Sequence, residues 1–222
     1  MKNHAMNAQP KLSNIVPLTR KVSRDQRRQQ LIEATMRVLA RNGYSQTTLS
    51  NVATEAGVSH GLVNFHFESK EKLLAATLMF MAAEYRENWQ AALKSAGDDP
   101  AEKLAALLKA DFNDTVWTQE RSACWCAFWG EVQSRPIYQQ ECAANDDNYI
   151  RQLEEICQSL IEAGGYDLNA TRVARVLRFT SEGLWNDMLS MVVPYTRDEA
   201  LKTLFSCVAV YFPKHFTSNG VL

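Results

Sequence analysis

The chain predicts an all-α fold of about nine helices: a small N-terminal three-helix unit containing a helix-turn-helix, and a larger C-terminal helical body. Three observations carry this. Apolar residues recur at helical spacing through most of the 222 residues, and no segment alternates convincingly as a strand would. The breaks between periodic segments coincide with capping residues, prolines and glycine pairs. With 46% apolar residues, the chain can bury a substantial core.

Residues 1 to 22 read as a flexible basic arm, polar and interrupted by prolines, ending in Arg20-Lys21. Ser23-Arg-Asp-Gln26 fits a capping box and opens the first helix, whose stripe is Leu31, Ile32, Thr35, Val38 and Leu39. Asn42-Gly43 ends it. Thr48 caps a second, short helix with Leu49, Val52, Ala53 and Ala56 on its inner face, and Gly57 can supply the left-handed residue that turns the chain. Ser59 then caps a third helix anchored by Leu62, Val63 and Phe67, which leaves His60, Gly61 and Asn64 facing outward. Two short helices joined this way form a helix-turn-helix, and its second helix is shaped to enter a DNA major groove. Residues 23–72 form this head, and residues 73–222 the larger helical body.

A long fourth helix starts after Ser69, carries Leu73, Leu74, Thr77, Leu78 and Met81, and reaches Ala96 before Gly97-Asp-Asp-Pro100. It joins head to body as a rigid lever. Asp99 and Pro100 open a fifth helix running through Leu104, Leu107, Leu108, Asp111 and Phe112. The sixth contains Ala123 to Gly130, and the seventh spans Ile137 to Ala163 before Gly164-Gly165. Asn169 caps the eighth, which continues towards Pro194, and Thr196-Arg-Asp-Glu199 reads as a second capping box opening the ninth.

The formal net charge of −1 conceals a division. Up to Lys72 there are eleven Lys and Arg against five Asp and Glu; the remainder has thirteen against twenty. A basic head on an acidic body suits a protein that meets phosphate at one end. Arg28, Thr48, Ser59, His66 and Lys70 are the candidates for positioning on the DNA backbone, and His60, Gly61 and Asn64 for reading bases. The N-terminal arm is either a tail or a further contact to backbone or minor groove.

Other classes are disfavoured. No apolar run is long enough to span a membrane and no signal-peptide block is present, so a cytoplasmic protein is expected. The five cysteines lack paired Cys-x-x-Cys spacing, which argues against a disulfide framework or a metal site. Packed thiols are expected, with Cys124-Trp-Cys126 open to a redox role only if a thiol pKa is depressed. None of His4, His60, His66 and His215 falls in a readable triad pattern, so neither catalysis nor a cofactor is expected.

Asn42-Gly-Tyr44, Thr48-Leu-Ser-Asn-Val-Ala53, Glu55-Ala-Gly-Val-Ser59, Gly61 and Phe67-Glu-Ser-Lys-Glu-Lys-Leu-Leu74 resemble the DNA-binding head of the TetR family of bacterial repressors. Many members carry Tyr where this chain has Asn64, so their aromatic phosphate contact is not carried over; phosphate and an adenine edge both stay open to Asn64. In the body, Ala127-Phe-Trp-Gly-Glu-Val-Gln-Ser-Arg-Pro-Ile-Tyr138 and Ser181-Glu-Gly-Leu-Trp185 resemble the C-terminal domain of choline-responsive members.

The resemblance implies a repressor of double-stranded operator DNA, released by a small-molecule effector and paired as a homodimer through the eighth and ninth helices, with residues 73–222 as its ligand-binding and dimerisation domain. Spacing alone would also allow a monomeric core. Trp125, Phe128 and Trp129 lie together on the sixth helix, while Asp111, Asp114 and Trp117 are expected on one face of the fifth. With Trp185 they could form a cage for a quaternary ammonium compound such as choline; the other use of such aromatics is core filling. An activator or dual regulator of the same fold, answering to an apolar effector, is the alternative.

Overall fold

The computed structural model describes residues 23–131 and 136–222; from 136 to 145 the only side chain described is that of Cys142. The arm expected over 1–22 and the side chain of Tyr138 lie outside that description.

Ser23 starts α1 (Arg24–Gln46) with a complete capping box: its hydroxyl accepts from the Gln26 N–H at 3.1 Å, and Gln26 Oε1 accepts from the Ser23 N–H at 3.0 Å. Gly43 leaves helical space at φ 73, as the Asn-Gly pair predicts, but a last turn follows this kink and buries Tyr44. Thr48 caps α2 (Leu49–Ala56) by accepting from the Asn51 N–H at 3.1 Å, and Ser59 caps α3 (His60–Phe67) by accepting from the Leu62 N–H at 3.3 Å. Between them Gly57 adopts φ 66, and the Val58 N–H reaches back to the Ala53 carbonyl at 2.9 Å. That bond closes the helix end and fixes the angle of the turn. Glu55 of α2 accepts from Arg37 and Arg41 of α1, whose guanidinium groups hold its carboxyl below the usual range and brace the two helices.

The lever α4 (Lys70–Ser95) is followed by α5 (Pro100–Ala110), α6 (Gln119–Trp129), α7 (Pro136–Gly164), α8 (Ala170–Ser190) and α9 (Arg197–Tyr211). Three details differ from expectation. Helix α5 stops at Ala110 instead of continuing through Asp111 and Phe112, because the chain tightens into turns closed by Phe112 N–H to Lys109 O and Trp117 N–H to Asn113 O. Only half of the second capping box forms, the Thr196 hydroxyl accepting from the Glu199 N–H at 3.3 Å. A short hairpin, β1 (Phe216–Thr217) with β2 (Gly220–Val221), follows α9, and its two-residue strands are too short to show alternation. Phe216 on this hairpin is buried against Phe205.

One core cluster lies inside the body and another inside the head. A third joins them: Met36, Leu39 and Tyr44 of α1 pack with Leu74, Leu78 and Met81 of α4, Cys124 and Phe128 of α6, and Cys142. Among the described residues, no helix is long and apolar enough to cross a membrane.

Candidate functional site

On the head, the outward face of α3 presents His60, Gly61, Asn64 and Phe65, all exposed, while Val63 and Phe67 are buried beneath. Phe65 is absent from the sequence-based candidates, yet it is 68% exposed. The signal was available: Phe65 lies one helical turn beyond Gly61 and off the Val63–Phe67 stripe. A ring held outward on such a helix can meet a thymine methyl group.

The expected backbone-positioning residues surround this face, several with a second task. The Arg28 guanidinium donates to the His66 carbonyl at 3.3 Å and lies 4.4 Å from the Phe67 ring centroid, tying the start of α1 to the end of α3. His66 is half-buried, and burial followed by the nearby Arg24, Arg28 and Arg27 lowers its pKa, which keeps it neutral at pH 7. The Thr48 hydroxyl is engaged with Asn51, whereas Ser59 keeps its hydroxyl hydrogen available beside the α3 N-terminus. Lys70 sits at the unfavourable dipole end of α4, where phosphate is one explanation. The structure supplies another: its ammonium donates to the Ser45 carbonyl at 2.8 Å and lies 5.5 Å from the Tyr44 ring. Two of its three N–H donors remain for other partners.

In the body, α4, α6, α7 and α8 line a cavity of about 400 Å³ that opens to solvent, a volume ordinary for a small-molecule site. Its aromatic walls are Tyr85 of α4, Trp125 and Trp129 of α6, Tyr149 of α7 and Trp185 of α8. The Trp125 and Trp129 rings stack with centroids 6.1 Å apart, and Tyr85 meets Trp185 edge-on at 6.1 Å. Asp111, Asp146 and Glu182 bring three carboxyl groups to the lining, against the single guanidinium of Arg178.

Asp111 is fully engaged. Its two oxygens accept from the hydroxyls of Tyr85 at 2.8 Å, Ser181 at 2.8 Å and Tyr149 at 3.0 Å, so one carboxyl joins α4, α7 and α8. Burial pushes it up to about 6 despite these three donors, with the Glu182 charge adding to the rise.

Of the seven residues expected around an effector, Asp111, Trp125, Trp129 and Trp185 line this cavity. Phe128, Asp114 and Trp117 do not. Phe128 points the other way from α6, 2% exposed and edge-on to Tyr44 of the head with centroids 5.9 Å apart. Asp114 is exposed and paired with Arg197, whose guanidinium also lies over the Trp117 ring. The shared face expected for Asp111, Asp114 and Trp117 is lost because α5 ends at Ala110. Conversely, Tyr85, Asp146, Tyr149, Arg178, Ser181, Glu182 and Asn186 were not foreseen; Tyr149 and Ser181 are buried, and in the sequence their hydroxyls carry no sign of a shared acceptor. Cys124 is buried with its thiol pushed up to about 12, and burial also raises Cys126. This is the reverse of what a redox-sensing thiolate needs.

A helix-turn-helix head sharing a core with a helical body that holds a cavity is the plan of a DNA-binding transcriptional regulator. Residues 31–77 match the model for bacterial regulatory proteins of the tetR family, and residues 100–212 match the model for the BetI-type transcriptional repressor C-terminal domain. The chain is 32% identical over 183 residues to the HTH-type transcriptional regulator BetI of Burkholderia thailandensis, an alignment covering 81% of this chain and 90% of that protein. It is 37% identical over 107 residues to BetI of Rhizobium meliloti, covering 48% and 52% respectively. Among solved structures, a transcriptional regulator of Pseudomonas aeruginosa PAO1 superposes with a TM-score of 0.75 at 26% identity, over 86% of this chain and 92% of that one. A regulator of Saccharomonospora viridis, solved in complex with choline, shares the fold with a TM-score of 0.72 at 21% identity, covering 81% and 94%. The chain belongs to the TetR family of bacterial transcriptional regulators and carries a BetI-type C-terminal domain.

Proposed function

We propose that the protein is a homodimeric repressor that leaves its operator when a quaternary ammonium compound such as choline enters the cavity. The observation that carries this is the composition of that cavity: five aromatic side chains and three carboxyl groups around a volume of about 400 Å³. Aromatic faces and carboxylates both attract an alkylated ammonium, which cannot itself donate a hydrogen bond. The choline held by the Saccharomonospora viridis neighbour supports the same ligand class, and the description of the matched C-terminal model supports repression.

Release requires the effector to bind the DNA-incompetent arrangement more tightly than the competent one. Two elements can convey that preference. Helix α6 lends Trp125 and Trp129 to the cavity and Phe128 to the core shared with α1, while α4 lends Tyr85 to the cavity and its first turn to the head. Displacing either changes the separation of two recognition helices in a dimer, and half-site spacing is what such a dimer reads. Pairing through α8 and α9 would cover Val176, Phe179 and Val210, apolar side chains that are 38%, 53% and 77% exposed.

A gel shift of the gene's own upstream DNA tests the whole scheme. The protein is expected to retard that duplex at low salt, and choline or betaine aldehyde to release it. Failure to shift the DNA would sink the repressor reading; release by an apolar compound and by no quaternary ammonium would sink the cation reading alone. On the same duplex, Asn64→Ala is expected to cost about 1–3 kcal/mol of affinity. A uniform loss across unrelated duplexes marks a phosphate contact, and a loss confined to the operator marks a base contact.

A further inference from the structure

The three cavity carboxyls have different surroundings, and we infer that Asp146 of α7 is the counter-ion that holds the ammonium of the effector, while Asp111 positions the aromatic rings. This rests on the cation-binding reading above. Asp111 has its oxygens filled by three hydroxyl donors, two of them from the tyrosines Tyr85 and Tyr149, whose rings form part of the cavity wall. Its hydrogen bonds fix where those rings stand. Glu182 is paired with Arg178 one turn away on α8, at 3.0 Å. Asp146 also lines the cavity, and among the described residues it has neither a hydrogen-bond partner nor an ion-pair partner.

A largely buried carboxylate without a partner costs stability, and such a cost is found where a site awaits a charge. Burial pushes Asp146 up to about 6; Arg178 opposes the rise, and Glu182 and Asp147 add to it. Among the described residues, the charged and titratable groups lining this part of the cavity are Tyr85 from α4, Asp111 after α5, Tyr149 from α7, and Arg178 and Glu182 from α8; Asp147 is exposed outside the lining and acts on Asp146 only through its charge. None of them is a free cation, because Arg178 is already committed to Glu182. A second feature points to a ligand: Trp185, 8% exposed, lines the same cavity with its indole N–H buried and lacking an acceptor among the described residues. An ammonium at Asp146 with a hydroxyl towards Trp185 would satisfy both groups, which describes an amino alcohol with a fully alkylated nitrogen.

The test is calorimetric titration of the full-length protein with choline, with tetramethylammonium, and with dimethylbutanol, the uncharged carbon isostere of choline. Asp146→Asn is expected to weaken choline roughly tenfold or more while leaving the isostere unchanged. Asp147→Asn, which removes the same charge from an exposed neighbour, is expected to bind choline as the wild type does. Melting curves supply an independent readout. The folded pKa of Asp146 lies above its ordinary value of 3.8, so its stabilising contribution is present below that value and lost as pH rises through about 6. Asp146→Asn is therefore expected to melt higher than the wild type at pH 8 and level with it at pH 4. Choline binding undiminished in Asp146→Asn, or a lower melting temperature at pH 8, overturns the assignment of Asp146 and leaves the cation reading standing. A wild-type protein that binds neither choline nor tetramethylammonium at millimolar concentration overturns both.

Discussion

Phe128→Ala is expected to lower stability by about 3–5 kcal/mol, read as a fall in the urea midpoint. The side chain is 2% exposed and fills the junction between α1, α4 and α6, edge-on to Tyr44. Removing it leaves a void that the neighbouring Leu39, Leu78 and Met81 cannot close without moving their helices. Because Phe128 turns away from the cavity, the folded variant should bind choline with its affinity largely retained but respond weakly on DNA: the operator gel shift should depend less on choline than in the wild type. A variant that loses stability yet keeps full choline-dependent release would show that α4 alone conveys the signal.

Asp111→Ala should be nearly as damaging. It strips the acceptor from the hydroxyls of Tyr85, Tyr149 and Ser181, three helices at once. Each buried hydroxyl left without a partner costs about 1–3 kcal/mol, partly offset by removal of a carboxylate that burial disfavours. The offset makes the loss depend on pH with a definite sign. The folded pKa of Asp111 is raised from 3.8 to about 6, so its contribution is greatest below 3.8 and diminishes as pH rises through 6. The gap between wild type and Asp111→Ala in urea denaturation should accordingly be wider at pH 5 than at pH 7.5. A gap that narrows on acidification would mean that the three hydroxyls favour the ionised carboxyl by more than burial disfavours it.

The helices were legible from local signals, because their ends are set by contacts within a few residues. Ser23 with Gln26, Thr48 with Asn51, Ser59 with Leu62 and the left-handed Gly57 all act within a turn of their own position. The cavity depends on relations between distant helices, which periodicity does not encode. Trp125, Phe128 and Trp129 occupy adjacent positions on α6, and only the packing of that helix decides that the tryptophans line a cavity while Phe128 fills the head-side core. Asp111, Tyr149 and Ser181 are far apart in the chain, so their convergence has no local trace. Phe65 is a different case: an apolar side chain offers no polar group that would mark it as a DNA contact, although its angular position on α3 already set it apart from Val63 and Phe67.

The core shared by α1, α4 and α6 bears on how such regulators can be recombined. A fragment ending near residue 72 would leave Met36, Leu39 and Tyr44 facing water, having lost Leu78, Met81, Cys124 and Phe128 as neighbours. Grafting this head onto a different body would therefore transplant half an interior as well as a reading helix, and the recipient would need a complementary apolar face on its own sixth helix. A chimera made without that match would aggregate or fold poorly even with every DNA-facing residue intact. The portable unit runs from Arg24 through Leu78 and Met81 together with the Cys124–Phe128 face of α6.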